Sequence, residues 1–285
     1  MITSAAAIPL AGAQLSTRGR PEGPSAVLSL AVRPAFKDGG GHKRDVSERT
    51  PVPVAPPFKE YKATISYVVD PLPDLRILRL ALPEPVRFVP GQFAQVILDG
   101  QPRPSSFSIA SSPANDREIE LGFKIIGPNT NLLNRMRKGD TLTLRAPLGR
   151  FTFTAEDGDI VCLTGGIGIT PFMSMARFIH DKKLPNKCLV IYSAKTRGDL
   201  VYFDELERLS REHQAIQVYA TLTGQLPDEW EGGTSRIDAE MIREQVPDFL
   251  KRTYYVCGPK LFIDAMIEQV RSLGVPDERI KKEVW

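Results

Sequence analysis

The spacing of apolar residues changes once along the chain, shortly before Asp159, and this change constrains the fold more than any other feature. Before it, alternating apolar and polar runs are separated by Pro and Gly. These runs predict six strands, at Ala63–Val69, Leu75–Ala81, Gln92–Leu98, Ser106–Ala110, Ile119–Ile125 and Thr141–Arg145. Short strands with regularly spaced turns are typical of a small barrel. We therefore expect a six-stranded antiparallel Greek-key β-barrel domain over residues 57–155.

After the change, short β-rich runs alternate with helical patterns. The predicted strands are Ile160–Thr164, Cys188–Ser193, Ile216–Thr223 and Tyr254–Cys257, and the predicted helices are Phe172–His180, Phe203–His213, Ala239–Gln245 and Leu261–Leu273. Strand–helix alternation indicates a parallel sheet with crossover helices. Residues 156–285 are therefore predicted to form an α/β doubly wound domain.

The first 56 residues have a different composition, rich in Ala, Ser, Pro and Gly, which predicts a disordered tail. A targeting segment is the alternative, because Arg18, Arg20 and Arg33 are accompanied by Glu22 as the only acidic residue in the first 37 positions.

Composition excludes several classes of protein. The 37 basic and 34 acidic residues give a net charge of +3, too even for a dedicated nucleic-acid binder. No apolar run approaches the roughly 18–20 residues that span a bilayer. Cys162, Cys188 and Cys257 are far apart in sequence, without a C-x-x-C pair, so neither an iron–sulfur cluster nor another metal site is expected. Sparse cysteines favour a reducing compartment, and we expect a cytoplasmic protein.

The sharpest local motif is the run Leu163-Thr-Gly-Gly-Ile-Gly-Ile-Thr-Pro171, which follows a buried strand and opens a helix. Glycines let backbone N–H groups approach an anion, and the helix N-terminus favours negative charge. We expect Thr170 to cap this helix and Pro171 to be its first residue. The candidate phosphate-binding residues are Gly165, Gly166, Gly168, Thr170 and Pro171. A tight strand–helix connection without a ligand is the alternative.

Three further stretches carry weaker signals. Arg103–Pro113 alternates hydroxyls with one aromatic residue, which also suits a half-buried strand. Gly127–Leu133 leads into a short helix that Thr130 is placed to cap, and it suits a phosphate or an ordinary loop. Cys257-Gly-Pro259 ends a strand, where ligands collect in open α/β sheets.

In this order, the motifs resemble those of the ferredoxin–NADP reductase family, over about residues 57–285. The matching segments are Pro90-Gly-Gln-Phe93, Phe107-Ser108, Gly127–Leu133, Gly165–Pro171, Cys257-Gly-Pro259 and the ending Glu283-Val-Trp285. The resemblance implies an oxidoreductase that binds FAD and NAD(P)H. It would move hydride from nicotinamide to FAD and pass electrons to a separate redox protein, such as a ferredoxin, an oxygenase component or a cytochrome.

The resemblance also implies residue roles. The FAD contacts would be Arg103, Ser106, Phe107, Ser108, Ile109, Gly127, Asn129, Thr130, Asn131 and Leu132, and the nucleotide contacts would add Lys195, Arg197, Gly258 and Pro259 to the Gly165–Pro171 turn. Ser108, Cys257 and Glu283 would lie beside the reacting atoms, and Phe107 would pack on a flavin face. Trp285 would cover the flavin as a displaceable lid or act only as a hydrophobic anchor, and Cys257 has a core role as its alternative.

One departure from the family concerns FAD. Relatives place an arginine two residues before the aromatic residue, but this chain has Ser105 there, with Arg103 two residues earlier. Either a long Arg103 side chain compensates, or the N–H groups of Thr130 to Leu132 hold the phosphates. The alternatives to the main interpretation are a reductase of free flavin, quinone or oxygen, and a non-catalytic subunit with a weakened flavin site.

The choice of nucleotide has opposing signals. Lys195 and Arg197 follow the second parallel strand with no acidic residue before Asp199, which favours the 2′-phosphate of NADPH. Many NADPH-using relatives, however, carry an arginine where this chain has Gly224. Lys195 and Arg197 in an ordinary solvated loop are the alternative.

Overall fold

The computed structural model describes residues 58–284. The predicted tail over residues 1–56 and the predicted lid residue Trp285 lie outside these residues.

The first part of the described chain is a six-stranded antiparallel sheet that nearly closes on itself. Its strands, in the order β4-β3-β6-β1-β2-β5, are β1 (Lys59–Leu72), β2 (Leu75–Ala81), β3 (Phe93–Ile97), β4 (Ser105–Ser108), β5 (Glu118–Lys124) and β6 (Thr141–Leu148). A bridge between Ile109 and Leu121 joins the two ends of this order. A helix, α1 (Pro128–Arg135), connects β5 to β6. All six predicted strands and the barrel are therefore confirmed.

Strand β5 is buried on both of its faces, which is unusual for a barrel strand. Ile119, Leu121 and Phe123 belong to the barrel core, as the alternation predicts. Glu120 and Gly122, on the opposite face, are buried as well because the second half of the chain packs against them.

The second part is a parallel five-stranded sheet, ordered β11-β10-β7-β8-β9. Its elements are β7 (Ile160–Gly165), α2 (Thr170–Asp181), β8 (Cys188–Ala194), α3 (Phe203–Glu212), β9 (Ile216–Leu222), α4 (Ala239–Gln245), β10 (Thr253–Cys257), α5 (Lys260–Ser272) and β11 (Ile280–Glu283). The sequence did not predict β11, because four residues with two lysines carry no clear alternation. The order reverses between β7 and β10, the position where open α/β sheets bind ligands.

The two faces of this sheet have different neighbours. One apolar cluster joins α2 and α3 to the sheet and includes Ala110, Phe151 and Phe153 from the barrel part. A second cluster lies on the other face, beneath α4 and α5. Within residues 58–284, no helix is long and apolar enough to cross a membrane.

The separation of the cysteines in sequence does not persist in the fold. Parallel pairing places Cys162 and Cys188 on neighbouring strands, close enough for their thiols to interact. Cys257, on β10, joins the same apolar cluster. Burial raises the pKa of the Cys162 thiol well above its usual value. The three cysteines therefore lie in one apolar cluster of the fold, and no group of His, Cys, Asp or Glu in the described residues is arranged to hold a metal ion.

Candidate functional site

A cavity of about 360 Å³ lies between the start of β4 and the N-terminus of α1. It is lined by Gln101, Pro102, Arg103, Ser105, Ile126, Gly127, Pro128, Asn129 and Thr130. Two stretches that the sequence marked separately, around Arg103 and from Gly127 onward, therefore form one site.

The N-terminus of α1 is stabilised by Thr130, but not as predicted. Gly127 is the capping residue, and Thr130 is the third residue of the helix. The Thr130 Oγ1 atom accepts hydrogen bonds from the N–H groups of Ile126 at 3.0 Å and Gly127 at 2.9 Å. Thr130 thus folds the loop back onto the helix from inside, at the wall of the cavity.

Asn129 links the two walls of the cavity. Its Nδ2 atom donates to the Arg103 carbonyl at 3.0 Å and to the Ser105 hydroxyl at 2.9 Å. Ser105 therefore positions the loop, while the exposed Arg103 supplies the cation in the cavity lining. Two other candidates lie further along α1: Asn131 donates to the Gly127 carbonyl, and Leu132 is half-buried.

Strand β4 presents its side chains to opposite sides. Phe107 points into the barrel core, where its ring centroid lies 5.0 Å from that of Phe123, and Ile109 is fully buried there. Phe107 therefore lacks an open ring surface in this structure, and its packing on a flavin stays a prediction. Ser106 is exposed, and the Ser108 hydroxyl is buried without a hydrogen-bond partner among residues 58–284. Such an unpaired polar atom is costly unless a ligand satisfies it.

The glycine-rich turn after β7 runs directly into α2. Gly166 adopts a φ of +57°, and residues 166–169 form a 3₁₀ turn. Thr170 is consequently the first residue of α2 and donates to the Ile167 carbonyl, with Pro171 second. The prediction of Thr170 as the capping residue was therefore wrong by one position, because the helix continues directly from the 3₁₀ turn. The Tyr192 hydroxyl, which no sequence pattern indicated, donates to the Gly166 carbonyl at 2.9 Å and fixes the turn.

The turn packs tightly on the end of β10. A Cβ atom at Gly168 would lie 2.6 Å from the Cys257 carbonyl oxygen and 2.7 Å from the Gly258 Cα. The two nucleotide motifs of the sequence therefore meet at the reversal of strand order, and Gly168 is required for their contact. Pro259 follows as the residue before α5.

Glu283 lies beside Cys257, because the two residues are partners in the parallel pairing of β10 with β11. Cys257 is fully buried, and Glu283 is half-buried. Burial raises the pKa of Glu283 above its usual value. A carboxyl group in this environment holds a proton more readily than one in water.

A second cavity, of about 200 Å³, lies beyond the ends of β8 and β9, and Thr196, Arg197, Gly198, Gln225, Leu226 and Pro227 line it. The Arg197 guanidinium lies 4.6 Å from the Phe203 ring centroid and pairs with Asp204, whereas Lys195 is exposed. A Cβ at Gly224 would lie 2.7 Å from the Lys195 carbonyl oxygen. Any larger residue at position 224 would therefore displace the backbone at Lys195, directly after β8.

Comparisons with known proteins agree with this arrangement. An oxidoreductase FAD-binding domain model matches residues 63–153, and an oxidoreductase NAD-binding domain model matches residues 162–268. These cover the barrel and the parallel sheet in the order that the motifs predicted. The chain belongs to the ferredoxin–NADP reductase family.

Among its relatives is the glycine betaine monooxygenase reductase subunit of Pseudomonas aeruginosa, 28% identical over 74% of this chain and 60% of the relative. The propane 2-monooxygenase reductase component of Mycolicibacterium goodii is 29% identical over 79% of this chain and 67% of the relative. The chain thus spans about 60% of the length of the first of these. A cytochrome P450 reductase from Amycolatopsis has the same fold, with a TM-score of 0.71 and 23% identity over 81% of this chain and 70% of that one.

Proposed function

We propose that the protein is an FAD-dependent reductase that takes hydride from NAD(P)H and delivers electrons to a separate redox protein. The observation that carries this proposal is the attachment of α2 to the segment that follows β4. This helix begins at the nucleotide turn, and its side chains donate hydrogen bonds to the carbonyls of Ala110 and Ser111, directly after the β4 segment with the unpaired Ser108 hydroxyl. Two candidate cofactor sites are therefore joined through one helix.

The residues present suit FAD. The buried Ser108 hydroxyl offers a polar group to a flavin ring, and the cavity at α1 offers N–H groups and Arg103 to a pyrophosphate. When bound, FAD supplies the redox chemistry, because it accepts two electrons as hydride and releases them singly.

The nucleotide turn would bind the pyrophosphate of NAD(P)H through its N–H groups, with Gly165, Gly166, Gly168, Thr170 and Pro171 shaping the approach. Gly258 and Pro259 would complete the wall at the end of β10. Cys257 and Glu283 would border the nicotinamide, and the raised pKa of Glu283 suits a group that holds a proton near the reacting atoms.

The partner in this proposal is an oxygenase component, a ferredoxin or a cytochrome. Two relatives are named as reductase parts of monooxygenases, which supports the first of these. The sparse cysteines suit a reducing compartment, and we propose the cytoplasm.

The test is to purify the protein, measure its FAD content, and follow NAD(P)H oxidation with and without candidate acceptors in a stopped-flow instrument. We expect a yellow protein that reduces ferredoxin-type or oxygenase acceptors faster than free flavin, quinone or oxygen. Preference for the small acceptors would support a flavin or quinone reductase instead. A colourless protein that neither binds FAD nor oxidises NAD(P)H would refute the proposal in favour of a non-catalytic subunit.

Arg103→Ala is expected to weaken FAD binding at least tenfold, because a charge-assisted hydrogen bond to phosphate contributes on the order of 1.5–3 kcal/mol. The measurement is fluorescence titration of the apoprotein with FAD. Arg117→Ala is the matched control, since Arg117 is also an exposed arginine of the barrel and its side chain donates to the Pro83 carbonyl. Equal affinities for both variants would leave the N–H groups of α1 as the phosphate ligands.

For the nucleotide, we propose NADPH, with Lys195 as the main reader of the 2′-phosphate. Lys195→Ala should lower kcat/KM for NADPH about tenfold and leave NADH nearly unchanged. Arg197→Ala should have a smaller effect because Asp204 already pairs with its charge, and Asp204→Asn should raise the preference for NADPH. If none of these variants changes the ratio of NADPH to NADH activity, neither cation reads the phosphate.

A further inference from the structure

A buried ion pair connects α2 to the barrel behind the nucleotide turn. Arg177 Nη1, on α2, donates to Glu120 Oε1, on β5, at 2.8 Å. The second carboxylate oxygen of Glu120 accepts from Arg79 Nε at 2.7 Å. The side chains of Arg177 and Glu120 are only 13% and 4% exposed. Charges this deeply buried require nearly complete hydrogen bonding, and here Glu120 uses both oxygens.

Arg177 and a neighbouring serine also bond α2 to the chain that follows β4. Arg177 Nη1 also donates to the Ala110 carbonyl at 2.8 Å, and Ser174, one turn earlier on α2, donates to the Ser111 carbonyl at 2.7 Å. Ala110 and Ser111 are the second and third residues after Ser108. The helix that starts at the nucleotide turn is therefore bonded to the segment that continues from the unpaired Ser108 hydroxyl.

Strand β5 also contacts the nucleotide turn directly. A Cβ at Gly122, two residues from Glu120, would lie 3.0 Å from Thr170 Cγ2 and 3.4 Å from Ile167 Cδ1. The barrel and the turn thus approach each other with almost no spare space. The Arg177–Glu120 ion pair bonds α2 to the same strand, two residues from this contact.

We propose that the Arg177–Glu120 pair is a positioning pair, which sets the approach of nicotinamide to flavin by fixing α2 against β5. This inference rests on the proposed function. Reacting atoms must approach to roughly 3–3.5 Å, and a misplacement of about 1 Å can lower a rate about 100-fold. The directional, charge-assisted hydrogen bonds of a guanidinium define an orientation that apolar contact alone leaves free.

The experiment compares Glu120→Gln with Glu205→Gln, both made in the full chain loaded with FAD. Glu205 is a matched control because it also accepts hydrogen bonds from Arg177, at 2.8 and 2.7 Å, but lies on α3 and not across the interface. Glu120→Gln should lower the rate constant of flavin reduction at saturating NAD(P)H at least tenfold. FAD and nucleotide dissociation constants should change less than twofold, and Glu205→Gln should stay within twofold in every measurement.

A second readout does not depend on turnover. Amide hydrogen exchange in the apoprotein should speed up about tenfold at residues 109–112 and in the first turn of α2 for Glu120→Gln, and remain at the parent rate for Glu205→Gln. Ser174→Ala, which removes only the hydroxyl that donates to the Ser111 carbonyl, should also slow flavin reduction, by severalfold.

Equal flavin-reduction rates in Glu120→Gln and Glu205→Gln, or equal exchange at residues 109–112, would overturn the proposal and leave the pair with a role in stability alone. A parent protein that is not reduced by NAD(P)H would instead refute the proposed function. In that case faster exchange in Glu120→Gln would still show that the pair fixes α2 against the barrel.

Discussion

Gly168→Ala is expected to reduce kcat/KM for NAD(P)H at least 100-fold while the barrel keeps its FAD. The new Cβ would meet the Cys257 carbonyl oxygen at 2.6 Å and the Gly258 Cα at 2.7 Å. Both are backbone atoms at the end of a buried strand, so they cannot move aside as a flexible side chain would. The turn must lift away from β10, and a displacement of about 1 Å suffices for a loss of this size.

The measurements are steady-state kinetics, nucleotide binding by calorimetry and FAD content by absorbance. Gly139→Ala is the control: Gly139 has a φ of +95° and open space around it, so alanine there introduces backbone strain without a clash. It should lose on the order of 1–3 kcal/mol of stability and keep the parent's nucleotide affinity. Parent-like kinetics in Gly168→Ala would show that the turn tolerates a wider separation than its packing indicates.

The sequence was informative wherever a feature is local. The alternation that predicts the barrel strands is a property of about five to seven neighbouring residues, and every one of those strands is present. The glycine-rich turn is equally local, since a buried strand, small residues and Pro171 are adjacent in the chain. The predicted caps at Thr130 and Thr170 were misplaced by up to a few residues. The position of a cap depends on where the first helical hydrogen bond forms, and the composition of a turn does not determine that position.

The sequence did not predict contacts between residues that are far apart along the chain. Arg177 and Glu120 are 57 residues apart, and each lies in a segment whose pattern only predicts a helix or a strand. Tyr192 reaches Gly166 because two parallel strands are neighbours, and the same pairing gathers the cysteines. No spacing along the chain encodes these contacts. Charged or hydroxyl residues in otherwise apolar runs were the available signal, since a buried polar group requires a partner.

Arg177→Met is expected to lower the free energy of unfolding by about 3–5 kcal/mol, because it leaves the buried Glu120 carboxylate with Arg79 as its remaining ionic partner. The measurement is urea denaturation of parent and variant under identical conditions. Arg208→Met is a suitable control, since Arg208 forms its ion pairs with Glu205 and Glu212 on the surface of α3, where such pairs contribute about 0–1 kcal/mol.

The pH dependence of the free energy of unfolding distinguishes an unpaired buried carboxylate from a simple loss of side-chain packing. In the parent, burial favours a raised pKa for Glu120, but Arg177 and Arg79 outweigh it and hold the pKa below its usual value. Without Arg177, only Arg79 opposes the effect of burial, so the pKa of Glu120 in the folded variant rises above that in the parent. As pH falls between these two values, the folded variant gains a proton that the folded parent does not, and its stability rises relative to the parent. The deficit should therefore shrink from pH 7 toward pH 4, and Arg177→Met/Glu120→Leu should recover most of it at pH 7 because both charges are gone. A deficit that is the same at both pH values would mean that the cost comes from lost packing of the Arg177 side chain rather than from an unpaired carboxylate.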